Sequence, residues 1–176
     1  MKNGTITLWG EKRYHSLDYY LKNTYHEKVY RIALNAGLSC PNRDGRLDTR
    51  GCIFCSAGGS GDFAASPTLS ITEQLETEKR ILRAKRNCNK FIAYFQAFTN
   101  TYGSVEHLRD LYMQAVNDPD VVIISIATRP DCLPDEVLSL LSRLKDEYPD
   151  KLIWIELGLQ TIHEKTARFI RRGYEL

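Results

Sequence analysis

Three of the five cysteines lie close together, with eleven residues between Cys40 and Cys52 and two between Cys52 and Cys55. Thiolates are soft ligands that favour zinc or an iron–sulfur cluster over hard cations such as magnesium. A structural zinc ion usually has four protein ligands, whereas a cubane cluster with three cysteine ligands leaves one iron open to a small molecule. The spacing therefore favours an iron–sulfur cluster. A zinc site and three unligated cysteines remain the alternatives.

The composition is that of an ordinary folded chain: 176 residues, 43% of them apolar, with a net charge of +2. An odd number of cysteines at this length does not indicate a disulfide framework. The longest apolar run, Val121 to Ala127, is much shorter than the roughly 20 residues that span a membrane, and the first residues lack the apolar segment of a signal peptide. We therefore expect a cytoplasmic protein that does not enter a membrane and that binds any polyanion through a local patch.

The pattern of apolar residues predicts one domain, residues 28–176, preceded by an N-terminal extension, residues 1–27. Strand-like and helix-like segments alternate through the domain, which is typical of an α/β protein with a parallel sheet. Serine or threonine three residues before glutamate predicts helix starts at Ser70 and Thr161. The predicted strands cover residues 29–34, 91–96, 121–126 and 152–157. The last two are expected to be buried, as in the middle of a parallel sheet.

Four strand–helix units are too few for a closed barrel of eight, which takes about 250 residues. The sequence thus predicts either an open α/β sheet or the first part of a barrel. In both architectures the functional residues lie at the carboxyl ends of the strands. Those ends carry residues 40–55, 96–102, 128–132 and 156–160.

Four phrases at these strand ends resemble a known family. Residues 38–55 contain Leu-Ser-Cys-Pro-Asn-Arg-Asp-Gly and then Gly-Cys-Ile-Phe-Cys, and residues 94–102 read Tyr-Phe-Gln-Ala-Phe-Thr-Asn-Thr-Tyr. Ala-Thr-Arg-Pro-Asp follows at residues 127–131 and Glu-Leu-Gly-Leu-Gln at residues 156–160. In this order they resemble the radical S-adenosylmethionine superfamily, and within it the YhcC/YtqA branch related to the catalytic subunit of Elongator. The common spacing of the superfamily has three residues between the first two cysteines, where this chain has eleven.

The resemblance implies a partial (β/α) barrel of the radical S-adenosylmethionine type. It also implies a [4Fe–4S] cluster on Cys40, Cys52 and Cys55, with S-adenosyl-L-methionine chelating the open iron. Members of the family typically have six strand–helix units, so we expect this chain to hold about four and to lack the C-terminal part of the barrel. The expected activity is reductive cleavage of S-adenosylmethionine to a 5′-deoxyadenosyl radical.

Further cofactor-binding roles follow from position at the predicted barrel mouth. The resemblance places Phe54 beside the adenine, and places Gln96 and Asn100 where relatives hold the methionine amino group. The alternative for Gln96 and Asn100 is that they satisfy buried backbone groups. Thr128 and Arg129 end the third strand, where a fixed guanidinium can pair with a carboxylate. The alternative for Arg129 is an ion pair at the surface.

Glu156 is a charged residue inside an apolar run, residues 152–159, where an unpaired carboxylate would be costly to bury. A ligand role for Glu156 or Gln160, near the ribose or amino group of the cofactor, is the preferred explanation. An internal salt bridge is the alternative.

The resemblance implies tRNA as the partner, through a radical step on the C5 side chain of the wobble uridine that converts carboxymethylaminomethyl to aminomethyl. Six positive and no negative charges between residues 79 and 90 suit phosphate binding, although a solvated helix face explains them as well. A one-electron donor such as flavodoxin or ferredoxin and a tRNA methyltransferase acting downstream are the other expected partners. The competing functions are a radical enzyme acting on a small molecule or a protein, and a zinc-stabilised RNA-binding module without enzymatic activity.

Overall fold

The computed structural model describes residues 8–175, so residues 1–7 of the predicted N-terminal extension lie outside the described part. Within it the helices and strands are, in chain order, α1 (Leu17–Tyr25), β1 (Val29–Leu34), α2 (Ile71–Lys85), β2 (Lys90–Phe95), α3 (Val105–Val116), β3 (Val121–Thr128), α4 (Asp135–Glu147), β4 (Leu152–Leu157) and α5 (Glu164–Phe169). A short 3-10 turn, Pro130–Cys132, follows β3. No described helix is both long and apolar enough to cross a membrane.

The four strands form one sheet in the order β1-β2-β3-β4, and all three pairs are parallel. The predicted α/β class and parallel sheet are therefore confirmed. Each predicted strand is present, with ends that differ by no more than two residues from the prediction.

Serine side chains begin three of the helices. Ser16, Ser70 and Ser104 each accept a hydrogen bond from the backbone N–H three residues later, which satisfies a group that the helix leaves unpaired. The capping box predicted at Ser70 is present in full. The one predicted at Thr161 is wrong: α5 begins after His163 without a side-chain cap, because the Thr161 hydroxyl accepts from the N–H of His163 in a local turn instead.

The main hydrophobic core lies between one face of the sheet and helices α2, α3 and α4. Phe91 and Phe95 of β2 and Ile124 and Ile126 of β3 point into it and are fully or almost fully buried. Each such side chain contributes about 1.5–3 kcal/mol relative to exposure. This core holds the strands in place and fixes where their carboxyl ends lie.

Helix α1 covers only the amino-terminal half of the opposite, inner face of the sheet. Leu21 packs there against Val29, Ile92 and Ile123 in a second, smaller cluster. The carboxyl half of the inner face is left open and carries polar side chains. It is this half that faces the cysteine-bearing loop.

The prediction that β4 is buried is wrong. All its residues are half-buried or exposed, and Leu157 is 53% exposed. The strand lies at one edge of the sheet, and among residues 8–175 no further strand pairs with its free side. An apolar sequence such as that of residues 152–157 predicts burial, but it does not reveal a position at the edge of the sheet.

Candidate cofactor site

A cavity of about 310 Å³ opens at the carboxyl ends of the strands. The long loop after β1 forms one wall, and residues that follow β2, β3 and β4 form the rest. Of the ten residues predicted for the site, nine line this cavity: Cys40, Cys52, Phe54, Cys55, Gln96, Thr128, Arg129, Glu156 and Gln160. The strand ends therefore bring together residues that are more than 100 positions apart in the sequence.

The loop that carries the cysteines is held by its own side chains. The Arg43 guanidinium donates from Nη2 to the carbonyl oxygens of Cys55 (2.9 Å) and Ser56 (2.5 Å). At its far end, Gly59 adopts a positive φ of 63° and its carbonyl accepts from the N–H of Phe98, which follows β2. The loop is thus tied to the adjacent strand end and presents its thiols to the cavity.

Each of the three cysteine sulfurs has a polar side chain beside it. Nη1 of Arg129 lies 3.7 Å from Sγ of Cys40, Nδ2 of Asn42 lies 3.2 Å from Sγ of Cys52, and Oγ of Ser60 lies 3.6 Å from Sγ of Cys55. All three neighbours are hydrogen-bond donors, which stabilise a thiolate. Burial raises the pKa of the Cys52 thiol, and the hydrogen bond from Asn42 acts in the opposite direction.

The donor set fits an iron–sulfur cluster in its chemistry. The three thiols are free, partly accessible and directed at one cavity, and donors to ligand sulfurs are the groups that proteins use around such clusters. Among residues 8–175 there is no group of three or more His, Cys, Asp or Glu side chains that could hold a metal ion as it stands. Cys40, Cys52 and Cys55 are the residues that would hold a cluster.

Arg129 is fixed by a bidentate pair with Asp131, at 2.8 Å from Nε and 2.7 Å from Nη2. Burial alone would lower the pKa of Arg129, but the hydrogen bonds and charge of Asp131 outweigh it and hold the pKa above its ordinary value. Arg129 is only 9% exposed, so the alternative of a surface ion pair is wrong. Its carboxylate partner is Asp131, and its remaining nitrogen is directed at Cys40.

Glu156 lies in a polar cluster on the inner face of the sheet. Its Oε1 accepts from Arg31 of β1 at 3.1 Å and from the hydroxyl of Ser125 at 2.5 Å. The Arg31 guanidinium lies 4.3 Å from the centre of the Tyr94 ring. The internal salt bridge that the sequence left as an alternative for Glu156 is therefore present, and the same carboxylate also lines the cavity.

Neighbouring strands of a sheet are about 4.8 Å apart, so β1 and β4 would be about 14 Å apart in a flat four-stranded sheet. The contact between Arg31 and Glu156 spans that distance across the inner face. Tyr94 and Glu156 line the floor of the cavity, and Arg31 and Ser125 hold the Glu156 carboxylate from the same face of the sheet.

The remaining predicted residues divide into two groups. Asn100 is fully buried and does not line the cavity, because its amide donates to the backbone carbonyls of Phe95 and Ala127. This is the backbone-satisfying role that the sequence left open. Gln96 lines the cavity and donates to the carbonyl of Ser60 at 2.7 Å, so it also ties β2 to the cysteine loop.

Thr128, Phe54 and Gln160 lie at different depths of the cavity. Thr128 is buried and its hydroxyl is hydrogen-bonded to that of Thr101 at 2.5 Å. Phe54 is 52% exposed at the cavity wall, which leaves its ring free to contact a bound molecule. Gln160 adopts a positive φ of 67° in the turn after β4.

Arg172 and Tyr174 are among the residues of the cavity wall that sequence reasoning missed. Arg172 is 1% exposed, and its guanidinium donates to the carbonyls of Thr161 (2.7 Å) and Tyr174 (2.9 Å) and pairs with Glu164. The Tyr174 ring lies between Arg172, at 4.5 Å, and Arg129, at 5.1 Å. Strand ends alone do not predict these residues because they follow a helix, and the Arg-Arg-Gly-Tyr phrase was the available signal.

The basic segment between residues 79 and 90 is not a continuous phosphate-binding surface. Lys79 is 3% exposed and pairs with Asp118 at 2.6 Å, with Glu76 at 2.8 Å and with Asp120 at 3.2 Å. Arg83 also pairs with Asp120. Lys90 pairs with Glu27 at 3.5 Å. Three of the six charges are therefore paired within the fold, at the amino-terminal end of the sheet and away from the cysteines.

The chain is similar to curated proteins of bacteria and of an archaeon, among them the uncharacterised proteins YtqA and MJ0486. The chain is 49% identical to YtqA of Bacillus subtilis over 165 residues, which are 94% of this chain and 50% of that protein. It is 44% identical to YhcC of Escherichia coli K12 over 156 residues, 88% of this chain and 48% of that protein. It is 33% identical to MJ0486 of Methanocaldococcus jannaschii over 159 residues, 89% of this chain and 47% of that protein.

The chain thus spans about half the length of the curated relatives it matches. No protein-family profile matches it.

Proposed function

We propose that the chain is the cluster-binding part of a radical S-adenosylmethionine enzyme that modifies tRNA. One observation carries the proposal: Cys40, Cys52 and Cys55 surround a single cavity, and each sulfur has a side-chain hydrogen-bond donor beside it. Three thiolates leave one iron of a cubane cluster free for a small chelating molecule. The resemblance of the four strand-end phrases to the superfamily supports the same assignment.

Cys40, Cys52 and Cys55 would hold a [4Fe–4S] cluster, which would supply the electron for reductive cleavage of S-adenosylmethionine to methionine and a 5′-deoxyadenosyl radical. The chain's own residues bind, orient and shield the reacting molecules. Arg129 places a fixed positive charge beside Cys40, which offsets the negative charge of thiolate ligands. Tyr94 and Glu156 form the floor on which a substrate side chain rests, and Phe54 and Tyr174 close the sides.

Support for tRNA as the substrate comes from the resemblance to the Elongator-related branch, which places the hydrogen abstraction on the C5 side chain of the wobble uridine. A one-electron donor of the flavodoxin or ferredoxin type would reduce the cluster, and a tRNA methyltransferase would act on the product. The relatives are about twice as long as the part that this chain matches, and the proposal concerns the cluster-binding part.

The test is anaerobic reconstitution of the chain with iron and sulfide, followed by metal analysis. We expect about four irons per chain and 5′-deoxyadenosine on addition of S-adenosylmethionine and dithionite. Substitution of Cys40, Cys52 or Cys55 by alanine should abolish iron binding, because each supplies one of only three protein ligands. The matched control is Cys88→Ala, which removes a buried thiol far from the cavity. A colourless protein with one zinc would refute the proposal in favour of a zinc-stabilised module.

A second experiment tests the tRNA substrate separately. Mass spectrometry of wobble nucleosides from a strain that lacks the gene should show accumulation of the carboxymethylaminomethyl form. An unchanged nucleoside pattern, with a cluster that still cleaves S-adenosylmethionine, would point to a small-molecule or protein substrate instead.

A further inference from the structure

The Asn42 side chain joins one cysteine to the end of the described chain. It is 1% exposed, and its Nδ2 lies 3.2 Å from Sγ of Cys52, 2.8 Å from the carbonyl oxygen of Arg171 and 2.9 Å from that of Arg172. An amide NH₂ has two hydrogens, so three acceptors share them. Asn42 and Arg171 are 129 residues apart in the sequence, and only the fold brings them together.

The orientation of the amide is determined by these three acceptors. A flipped amide would direct Oδ1 at two carbonyl oxygens and a sulfur, which have no hydrogen to donate once the thiol is ionised. Oδ1 is buried and has no hydrogen-bond partner among residues 8–175. An unsatisfied buried acceptor is destabilising, so this arrangement places the donor on Cys52 at a cost to the fold.

Gly173 makes room for the amide. Its φ is +81°, and a Cβ at this position would lie 2.2 Å from Oδ1 of Asn42, which is closer than real Cβ contacts occur. Two further contacts attach the same turn to the cysteine loop. The N–H of Ile53 donates to the carbonyl oxygen of Ile170 at 3.2 Å, and Sγ of Cys52 lies 3.3 Å from the carbonyl oxygen of Arg171. Cys52 is therefore held by direct contacts to the turn at residues 170–173.

We infer that Asn42 is a positioning residue for Cys52, held in place by the turn at residues 170–173, and that it sets the reduction potential of the cluster through the Cys52 sulfur. This inference rests on the proposed function. A metal-bound thiolate carries no proton, so its bond to the Arg171 carbonyl is lost and the donation from Asn42 remains. Hydrogen bonds to ligand sulfurs stabilise the more negative, reduced cluster and raise its potential.

The direct test is Asn42→Ala in the full chain, reconstituted without oxygen and titrated by electron paramagnetic resonance. Loss of one charge-assisted donor should lower the ratio of reduced to oxidised cluster at a fixed potential about tenfold, which corresponds to about 59 mV for one electron. Iron content and the urea midpoint of the cluster-free chain are measured beside it. A merely structural role would change the urea midpoint and leave the potential of the loaded protein unchanged.

A second variant, Gly173→Ala, displaces the Asn42 amide without changing Asn42 itself. Its Cβ must displace Asn42, so the potential should fall in the same direction although neither the cysteines nor Asn42 is changed. The matched control is Gly45→Ala, which lies in the cysteine loop with a φ of +93° and has no atom closer than 4.0 Å to its Cβ. It carries the same backbone strain without touching the amide, and should leave the potential unchanged.

The outcomes separate the inference from the function on which it rests. If the wild-type chain takes up no iron, the proposed function fails and the inference with it. If the wild type is loaded but Asn42→Ala and Gly173→Ala keep its potential, only the inference is overturned. Loss of the cluster from both variants, with an unchanged urea midpoint of the cluster-free chain, supports positioning of Cys52. Loss of the cluster together with unfolding overturns it in favour of a purely structural role.

Discussion

Glu156 and Arg31 shift the pKa of Tyr94 in opposite directions. Burial raises the pKa of Tyr94 above its ordinary value, the negative charge of Glu156 raises it further, and the positive charge of Arg31 lowers it. Tyr94 and Glu156 line the cavity and Arg31 contacts both of them, so the ionisation of Tyr94 reports on the electrostatic field at the cavity floor.

We therefore predict that Glu156→Gln lowers the pKa of Tyr94 and that Arg31→Met raises it. Each substitution removes one charge and keeps the approximate size of the side chain. Nuclear magnetic resonance titration of ring-labelled tyrosine at alkaline pH measures both shifts. A change of the same sign in the two variants would contradict the geometry of the cluster. Stability should change little, because both charged side chains are more than one-third exposed and such pairs contribute about 1 kcal/mol or less.

At the level of single residues, the sequence predicted the cysteines, Phe54, Gln96, Thr128, Arg129, Glu156 and Gln160 at one cavity, because parallel strands end at the same edge of a sheet. It did not predict the partners of these side chains. Arg31 is three residues from the end of its strand, and nothing in its surroundings in the sequence indicates that it contacts Glu156. Asn42 lies two residues after Cys40, but its contacts are with Cys52 and with residues 171 and 172, whose position depends on the whole fold.

At the level of elements, the loop after β1 is the least regular part of the described chain and also the one that carries the cysteines. Gly59 of this loop packs closely against Phe98, which follows β2. Gly59 adopts a φ of +63°, and a Cβ at this position would lie 2.4 Å from the Phe98 ring. The sequence predicted a turn here from Gly-Gly-Ser-Gly, but it did not reveal what the turn packs against.

We predict that Gly59→Ala destabilises the protein by about 1–3 kcal/mol through overpacking, in addition to the strain of a positive φ, and that it weakens iron retention. The matched control is Gly37→Ala, which has a φ of +67° but no atom within 4 Å of its Cβ. The difference between the two variants in urea midpoint isolates the contact with Phe98. Equal midpoints would show that backbone strain alone matters and that the loop is not anchored at this point.

The element predictions succeeded where local signals decide the structure and failed where neighbours decide it. Ser70 with Glu73 forms a complete capping box because both partners lie within one turn. Thr161 has the same spacing to Glu164, but in the turn after β4 its hydroxyl accepts from the N–H of His163 and does not cap α5. The exposure of β4 likewise depends on which strand lies beside it, and the sequence of residues 152–157 carries no information on that.

On the scale of the whole molecule, the two ends of the sheet have different roles. The carboxyl end holds the cavity, whereas the amino end holds a network of charges in which Lys79 is buried between Asp118 and Asp120. Burial alone would lower the pKa of Lys79, but its hydrogen bonds to Asp118, Glu76 and Asp120 outweigh it and raise the pKa. The same charges that indicated a phosphate-binding patch in the sequence therefore connect α2 to the start of β3.

The pH dependence of this network follows from Asp120. Burial would raise the pKa of Asp120, but hydrogen bonds from Arg83 and Lys79 outweigh it and lower the pKa. A lowered folded-state pKa contributes stability that is complete above the ordinary aspartate value of about 4 and is lost as the pH falls below it. Acid should therefore loosen the amino end of the sheet.

We predict that Lys79→Met costs about 3–5 kcal/mol at neutral pH, because it leaves the Asp118 carboxylate buried without its cation. The cost should shrink as the pH falls below about 4, since Lys79 helps to lower the pKa of Asp120 and protonation of Asp120 removes one of the charges that Lys79 pairs with. Urea unfolding of the wild type and the variant, at neutral pH and again below about pH 4, measures the difference in unfolding free energy between them. The matched control is Lys22→Met, which removes a lysine from an exposed pair with Asp18 and should change the urea midpoint little at either pH. An equal effect of the two substitutions, or a cost for Lys79→Met that does not depend on pH, would mean that the charges at this end of the sheet contribute no more than solvated ones.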